Sequence, residues 1–417
     1  MKLKLFINSL GPGILLAATA IGVSHLVQSV QAGAKYGFLF IAVILFAHFL
    51  KYPFFEIAPR YSSVKKQSIL HGYYDLKPYY LHIYLIITLI SLVSLLSAVT
   101  VVAAGIFANI FDFNLSIKFY SIIVILTCYF ILIFGKYNLL DRWVKYVIIF
   151  LTLSSVITLI ISLINFDLFS NIEHEKFSFS NHLDLIFILG FIGWMPCPLD
   201  CSIWNSIWIV EKEHANHDEV NYKKSITDFR IGYFTTAFLA IIFLLIGKIM
   251  FYNSGEALPG KSIDFVAALL NAYSNNIGSW SFYIIAITAF ITMFSTVITC
   301  VDGYPRSIAK TIKLIFYSDK SKKCNESKIY FYSLSFAVFA TILTIIYLVN
   351  NMKELVIIAT MLSFLTTPII AYLNLQLVVD KKFPKKYRPH KFFIYYSIIA
   401  IIIMSFLIIL YINSRFF

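Results

Sequence analysis

Residues 192–202 read IGWMPCPLDCS and place two prolines two positions apart, with an acidic residue shortly after them. This stretch follows the apolar run LDLIFILGF and precedes IWNSIWIV, so it lies in a segment apolar enough to span a membrane. Pro198 has no N–H group and disfavours helical backbone at the residue before it. The sequence therefore predicts a helix that breaks here, with the acidic residue Asp200 directly after the break.

The composition is typical of a membrane protein. Of 417 residues, 59% are hydrophobic and only 13% are charged, and the mean hydropathy is +0.81. Soluble domains carry about 25% charged residues. The net charge of +13 comes from basic residues between the apolar runs, so we expect the lipid bilayer, and no nucleic acid, as the partner. The five cysteines are scattered and indicate no disulfide framework.

Apolar runs of about 20 residues predict an all-α polytopic membrane protein with about eleven transmembrane helices. Basic clusters occur in alternate loops, which predicts an N-terminus inside the cell and, with an odd helix count, a C-terminus outside. We expect the protein in the cell membrane, the inner membrane of a bacterium. The predicted spans are 10–34, 37–58, 82–110, 117–136, 143–166, 183–210, 230–252, 277–303, 328–349, 353–378 and 392–413.

A second break is predicted in the middle of the first span, which reads Gly-Val-Ser-His from Gly22 to His25. Gly22 is a weak helix former that permits close backbone approach, and Ser24 is a good N-cap for a restarting helix. Broken helices at matching places in two halves of a chain predict an inverted-repeat transporter with its site near the bilayer midplane. We therefore expect one transporter domain over residues 1–417. It comprises a first repeat at about 10–166, a second at about 183–378 and an extra helix at about 392–413.

The residues around these breaks resemble the Nramp family of divalent-metal transporters. GPGILLAATAIGVSHLVQSVQAGAKYGF resembles the family's first helix, Met195 and Pro196 resemble its Met-Pro-His-Asn break in helix six, and residues 294–303 resemble its Ser-Ser-Thr stretch in helix eight. The resemblance implies a LeuT-like fold with broken helices 1 and 6, alternating access, and proton-linked uptake of manganese or ferrous iron. It also implies a metal held between the two breaks.

The sequence departs from the family pattern at several site positions. Aligned without gaps, the family's metal-binding Asp falls on Gly22 and its Asn on His25. Met195 matches the family's methionine ligand, and the alanine whose carbonyl can contribute falls on Ile192. Cys197 stands where the family has His after Met-Pro. The third helix has no acid where the family places its proton-pathway carboxylates.

His25, Met195 and Cys197 are the candidate metal ligands, because imidazole and sulfur suit transition metals better than calcium or magnesium. Each also has a structural interpretation: a neutral imidazole bonded to a carbonyl exposed by the break, or ordinary packing of Met and Cys in a core. Asp200 could be a counter-charge on the path, or an acid stabilised by the N-terminal end of a helix. The remaining candidates for the substrate site are Gly22, Ser24 and Ile192.

Four charged residues lie near the inner ends of spans two and eight, and we interpret them as inner-gate or anchoring pairs. They are Lys51, Glu56, Asp302 and Arg306. Asp302 and Arg306 have the i, i+4 spacing of a helical salt bridge.

The sequence leaves two transport functions open. One is secondary-active transport of a divalent metal, and the other is transport of a small organic solute, such as an amino acid or amine, on the same fold with the metal site and proton pathway lost. A membrane sensor or scaffold without transport is a third hypothesis. Motifs of soluble enzymes, such as a Gly-rich phosphate loop, HExxH or Gly-x-Ser-x-Gly, do not occur. We expect no enzyme, no cofactor apart from a transition-metal ion as substrate, and a monomer.

Overall fold

A computed structural model describes residues 11–111, 113–134, 136–165, 177–216, 221–252, 259, 262–317, 325–348 and 352–416. The regular structure of these residues is helical, without a strand. The α-helices are α1 (Pro12–Ala20), α2 (Val30–Tyr36), α3 (Leu39–Lys65), α4 (Ile69–Leu76), α5 (Tyr79–Ile110), α6 (Ile117–Phe134), α7 (Lys136–Asn165), α8 (His182–Trp194), α9 (Asp200–Asn216), α10 (Tyr222–Gly247), α11 (Ser262–Ile277), α12 (Ser281–Phe316), α13 (Glu326–Leu348), α14 (Met352–Val379) and α15 (Lys391–Phe416). Short π-helices cover Ser24–Ser29 and Lys248–Tyr252, and a 3₁₀ turn covers Lys385–Tyr387.

The helices have the length and composition of membrane spans. Eight described helices are long and apolar enough to cross a membrane, and a ninth span results if Pro12–Ala20 and Ser24–Tyr36 count as one helix bent by 48°. Shorter apolar helices occur at Ile148–Ile164 and His182–Trp194. The all-helical, multi-pass prediction is confirmed. The count of eleven spans and the orientation of the termini stay predictions.

Both predicted breaks are present. The first helix stops at Ala20 and resumes as a π-helix at Ser24, and the sixth stops at Trp194 and resumes at Asp200. A single proline does not suffice for such a break, because Pro305 lies inside the continuous helix α12. The two prolines of the Met-Pro-Cys-Pro stretch remove two N–H donors within three residues, which a helix cannot bridge.

The broken helices lie between two groups of helices. The halves α1 and α9 pack against each other and against α3 or α10, whereas α5, α6, α12 and α13 pack together. Helix α12 also contacts α1 and α9, so it adjoins both breaks. This arrangement covers the interrupted backbone with protein, which is the condition for non-helical backbone at membrane depth.

Helix α10 runs against both halves of the broken first helix through glycines. A Cβ added at Gly13 would lie 2.2 Å from the carbonyl oxygen of Asp228, and one added at Gly33 would lie 1.9 Å from that of Leu244. Such approach of two backbones requires residues without side chains. It fixes the position of the first helix, and thereby of its break, against α10.

Candidate functional site

The break in the first helix is held by α12. The Thr296 hydroxyl lies 3.0 Å from the carbonyl oxygen of Ala18 and 3.2 Å from that of Ile21, two carbonyls that the end of α1 leaves available. A Cβ added at Gly22 would lie 2.7 Å from both Oγ1 and Cγ2 of Thr296. The predicted close approach at Gly22 is therefore confirmed, and its partner is a threonine side chain.

The predicted N-cap at Ser24 is wrong. The π-helix that begins at Ser24 has no side-chain cap. The Ser24 hydroxyl instead lies 2.8 Å from the carbonyl oxygen of Ala20, one turn back, and 3.1 Å from that of Pro196 in the other break. A serine inside a helix can bond the carbonyl four residues back instead of capping a helix. The side chain thus joins the two breaks directly.

His25 is fully buried and both of its ring nitrogens have partners. Nε2 lies 3.0 Å from the carbonyl oxygen of Thr236 in α10, and Nδ1 lies 2.8 Å from the Ser24 hydroxyl. Because a carbonyl only accepts hydrogen bonds, Nε2 carries a proton. The Thr236 hydroxyl continues the chain of contacts to Nε2 of His48, 3.1 Å away. In this conformation His25 has no free nitrogen with which to ligate a metal.

The break in the sixth helix is held by a buried lysine. Lys51 of α3 is 0% exposed, and its ammonium group donates to the carbonyl oxygens of Gly193 at 2.6 Å and of Cys197 at 3.3 Å. These carbonyls belong to the C-terminal end of α8 and to the break, where a positive charge is favoured by the helix dipole. A buried amino group therefore holds this side of the break.

Lys51 and Glu56 do not form an ion pair with each other, so the interpretation of these two residues as a pair is wrong. Five residues apart on one helix, they point about 140° away from each other. Glu56 instead accepts from Arg60 of its own helix at 2.5 Å and from Arg230 of α10 at 3.3 Å. The acid thereby ties the C-terminal part of α3 to α10.

The salt bridge between Asp302 and Arg306 is confirmed, with 2.6 Å between Oδ1 and Nη2. Asp302 also accepts from the indole of Trp208 at 3.0 Å and from the hydroxyl of Tyr330 at 2.8 Å. A second pair, Lys310 with Glu211 at 2.9 Å, lies nearby. Together these contacts tie α9, the second half of the broken sixth helix, to α12 and α13.

A small cavity lies between the two breaks. Its lining residues are Thr19, Ala20, Val23, Ser24, Leu95, Val99, Trp194, Cys197, Pro198, Cys201, Thr296 and Cys300. All of them are buried, and the space holds about one water-sized body. Three thiols and three hydroxyls provide its polar surface. Of the residues predicted for the site, Ser24 and Cys197 line this cavity.

The other predicted site residues lie around the cavity rather than in its wall. Met195 and Ile192 pack in a second hydrophobic cluster together with Phe364. His25 reaches the cavity only through Ser24. Among the residues that the structure describes, no group of three or more His, Cys, Asp or Glu side chains is arranged to hold a metal ion. The ligand roles of His25, Met195 and Cys197 stay predictions.

Sequence reasoning missed several residues of the site. Cys201 and Cys300 line the cavity, and Thr296 lines it while bracing the first break. The spacing of four residues between Cys197 and Cys201 gave a signal, because such residues share a helical face. Thr296 and Cys300 lie in the stretch 294–303 that resembles helix eight of the family, but only the fold shows that α12 reaches the breaks.

Comparison with known proteins identifies the family of this chain. A family model described as "Nramp: Natural resistance-associated macrophage protein-like" matches residues 13–414. The chain belongs to the Nramp family. An uncharacterised protein of Pasteurella multocida (strain Pm70) is 34% identical over 373 residues, which are 89% of this chain and 85% of that relative.

Solved structures share the fold of this Nramp protein. The manganese transporter of Eremococcus coleocola, in complex with an aromatic bis-isothiourea compound, matches with a TM-score of 0.71 at 14% identity, covering 99% of this chain and 88% of that one. MhsT in complex with L-phenylalanine matches with a TM-score of 0.65 at 12% identity, covering 97% and 98%.

The family assignment confirms the prediction of a secondary-active membrane transporter of the divalent-metal class. One structural neighbour is a manganese transporter and the other is in complex with L-phenylalanine. The fold alone therefore does not decide which cargo this chain transports.

Proposed function

We propose that this Nramp protein carries a divalent transition-metal ion by alternating access, with the cavity between its two breaks as the cargo site. The observation that carries the proposal is the position of the cavity, which touches Ser24 in one break and Cys197 in the other. A site that spans both breaks changes shape when the two helix halves move. Its size, about one water-sized body, suits a dehydrated ion and not an amino acid.

The chemistry of the lining favours a transition metal over calcium or magnesium. Thiol and hydroxyl groups line the cavity, and no carboxylate does. Sulfur ligands select softer ions, whereas calcium and magnesium require several oxygen ligands. Cys197 is the ligand that we assign first, and manganese and ferrous iron are the ions that the family suggests.

His25 and Met195 enter this proposal as ligands of another conformation. His25 is held by Ser24, and Ser24 in turn contacts Pro196 of the other break. Separation of the breaks removes that contact and lets the Ser24 side chain and the ring of His25 turn. Imidazole then becomes available one residue from the cavity wall.

Alternating access requires one group of helices to rock against the other. We propose that the broken helices move with α3 and α10 against α5, α6, α12 and α13. The contacts of Asp302 with Trp208 and of Arg306 with Glu211 join α12 to α9, so they cross between the two groups and would form the inner gate. The ion pairs of Glu56 join α3 to α10, so they would hold the moving group together. We also propose that the chain crosses the membrane eleven times, with its N-terminus inside the cell, and that it consists of the two repeats and an extra C-terminal helix. We propose further that it is a monomer in the cell membrane.

Transport of a small organic solute is the second candidate, and one observation favours it. The amino group of Lys51 lies 3.3 Å from the carbonyl oxygen of Cys197, and a proton on that amino group opposes entry of a cation. A carboxylate-bearing solute would be attracted instead. The small volume of the cavity argues against this candidate.

Transport by the purified protein in liposomes distinguishes the two candidates. We expect uptake of manganese, ferrous iron or zinc, no uptake of calcium, and none of a mixture of labelled amino acids and amines. Cys197→Ala should reduce metal uptake at least tenfold. Cys128→Ala is the matched control, because Cys128 is a buried thiol of α6 that does not line the cavity.

Uptake of an organic solute without any metal uptake would refute the proposal and establish the second candidate. Equal uptake by the Cys197 and Cys128 variants would show that the cargo site lies elsewhere. Absence of flux for every solute, with the protein folded, would support the sensor hypothesis.

A further inference from the structure

Five acidic side chains are buried among the described residues, and one of them differs from the rest. Glu56, Asp184 and Asp302 have ion-pair partners, and Asp228 accepts from the backbone N–H groups of Gly11 and Gly13. Asp200 is 1% exposed, and neither of its carboxylate oxygens has a hydrogen-bond partner. This acid stands at the start of α9, directly after the break.

The surroundings of Asp200 contain further polar atoms without a bonded partner. They come from three helices: Tyr84 and Thr88 of α5, Trp204 of α9 and Tyr304 of α12. Tyr84 and Tyr304 interact electrostatically with Asp200, and Thr88 and Trp204 lie beside the Tyr84 hydroxyl without the geometry of a hydrogen bond. The rings of Trp204 and Tyr304 contact each other edge to face at 4.6 Å between centroids. Unpaired buried polar groups are rare, and each one costs free energy. Their concentration around one acid indicates a site that is incomplete as it stands.

The groups that interact electrostatically with Asp200 are all uncharged side chains. They are Tyr73 of α4, Tyr84 of α5, Cys201 of α9 and Tyr304 of α12. The buried cation Lys51 is bonded to the carbonyls of the break and interacts with Cys197 and Cys201. An ionised carboxylate without a partner at this depth is strongly destabilised by the loss of its hydration. It therefore requires a positive charge.

We propose that Asp200 and the hydroxyl groups of Tyr84, Thr88 and Tyr304 form a second cation site, which binds one monovalent positive charge during transport. A proton or an alkali-metal ion supplies that charge. Both are hard cations that take oxygen ligands, in contrast to the thiol-lined cargo cavity. The site is separate from that cavity, since neither Asp200 nor the hydroxyls line it.

Its position suits the ion that drives transport. The neighbouring residue Cys201 lines the cargo cavity, so α9 contributes to both sites. The oxygen groups of the second site come from α5, α9 and α12, and α9 moves relative to the other two in the proposed cycle. Movement of α9 would therefore open the site. This coupling role rests on the proposed function, whereas the binding of the charge does not.

Two measurements on the purified full chain test the site without any cargo. The first is the infrared C=O stretch of a protonated carboxylic acid, and the second is the thermal unfolding midpoint in sodium, potassium or choline chloride. Both are compared between the wild type, Asp200→Asn and the control Glu213→Gln. Glu213 is a partly exposed acid that pairs with Lys66.

A protonated-carboxyl band that Asp200→Asn removes and Glu213→Gln retains identifies the charge as a proton. A rise of the midpoint by several degrees in one alkali salt over choline, lost in Asp200→Asn alone, identifies an alkali ion. If the wild type shows neither effect, or if Asp200→Asn retains the effect that the wild type shows, the proposal is wrong.

Tyr84→Phe and Thr88→Val keep the test valid should Asp200→Asn fail to fold. Each should shift the carboxyl band or reduce the alkali effect, and no change in either variant would also overturn the proposal. A wild type that shows the band or the alkali effect but takes up no metal would refute the proposed cargo and leave this site standing.

Discussion

The two breaks face the same physical problem and solve it with different chemistry. At the first break, the carbonyls of Ala18 and Ile21 lie within hydrogen-bond distance of a neutral hydroxyl, that of Thr296. At the second, the carbonyls of Gly193 and Cys197 accept from a charged ammonium group, that of Lys51. The gap also differs in length, with three residues between Ala20 and Ser24 and five between Trp194 and Asp200.

The difference indicates which break is the stiffer. Hydrogen bonds to charged donors are shorter and about twice as strong as neutral ones. The sixth helix is therefore anchored to α3 through Lys51, whereas the first helix is braced more weakly against α12. This predicts that the first break yields before the second when the helices move, and it orders the effects of substitutions at the two sites.

Replacement of the charged brace should have the largest effect. Lys51→Met keeps the length of the side chain but leaves two buried carbonyls without a donor. We expect a loss of about 3 kcal/mol of stability, since removal of one partner of a buried charged interaction leaves the other unpaired. Unfolding in lipid nanodiscs measures it, with the exposed Lys382→Met as control. An unchanged unfolding midpoint in Lys51→Met would contradict the inference that the second break is the stiffer one.

Filling the space at the first break should have an intermediate effect. In Gly22→Ala the new methyl group would lie 2.7 Å from Thr296, so the two helices must separate. We expect a cost of about 2 kcal/mol, as is typical of overpacking. Gly190→Ala is the matched control, because its Cβ would meet only Thr360, at 3.3 Å. Equal costs for both variants would contradict the close approach at this break.

Loss of the neutral brace should have the smallest effect. Thr296→Val preserves shape and removes only the hydroxyl, so we expect a loss of about 1 kcal/mol. Thr341→Val is the control, because the Thr341 hydroxyl bonds only within its own helix, to Ala337. A loss at Thr296 as large as that at Lys51 would show that the two breaks are equally anchored.

The positions of both breaks could be predicted from the sequence because their causes are local. Pro196 and Pro198 remove backbone donors whatever surrounds them, and Gly22 weakens the helix by itself. The alternation of basic loops and the length of the apolar runs follow from the bilayer. Asp302 and Arg306 are four residues apart on one helix, so their salt bridge was also a local prediction.

The contacts that complete the site could not be predicted, because they join distant parts of the chain. Lys51 reaches a carbonyl 142 residues away, and the Thr296 hydroxyl reaches one 278 residues away. Ser24 misled the prediction because its hydroxyl had a choice between capping and the carbonyl of Ala20, and local rules do not rank the two. The isolation of Asp200 is likewise visible only when all helices packed around it are known.

The central claim is that the cargo lies between the two breaks. Anomalous X-ray scattering from the protein crystallised with manganese tests it most directly, because the signal marks the ion itself. We expect one strong peak in the cavity, within coordination distance of the Cys197 sulfur, that is lost in Cys197→Ala and retained in Cys128→Ala. A manganese peak at another place in the membrane-spanning region, with none in this cavity, would contradict it.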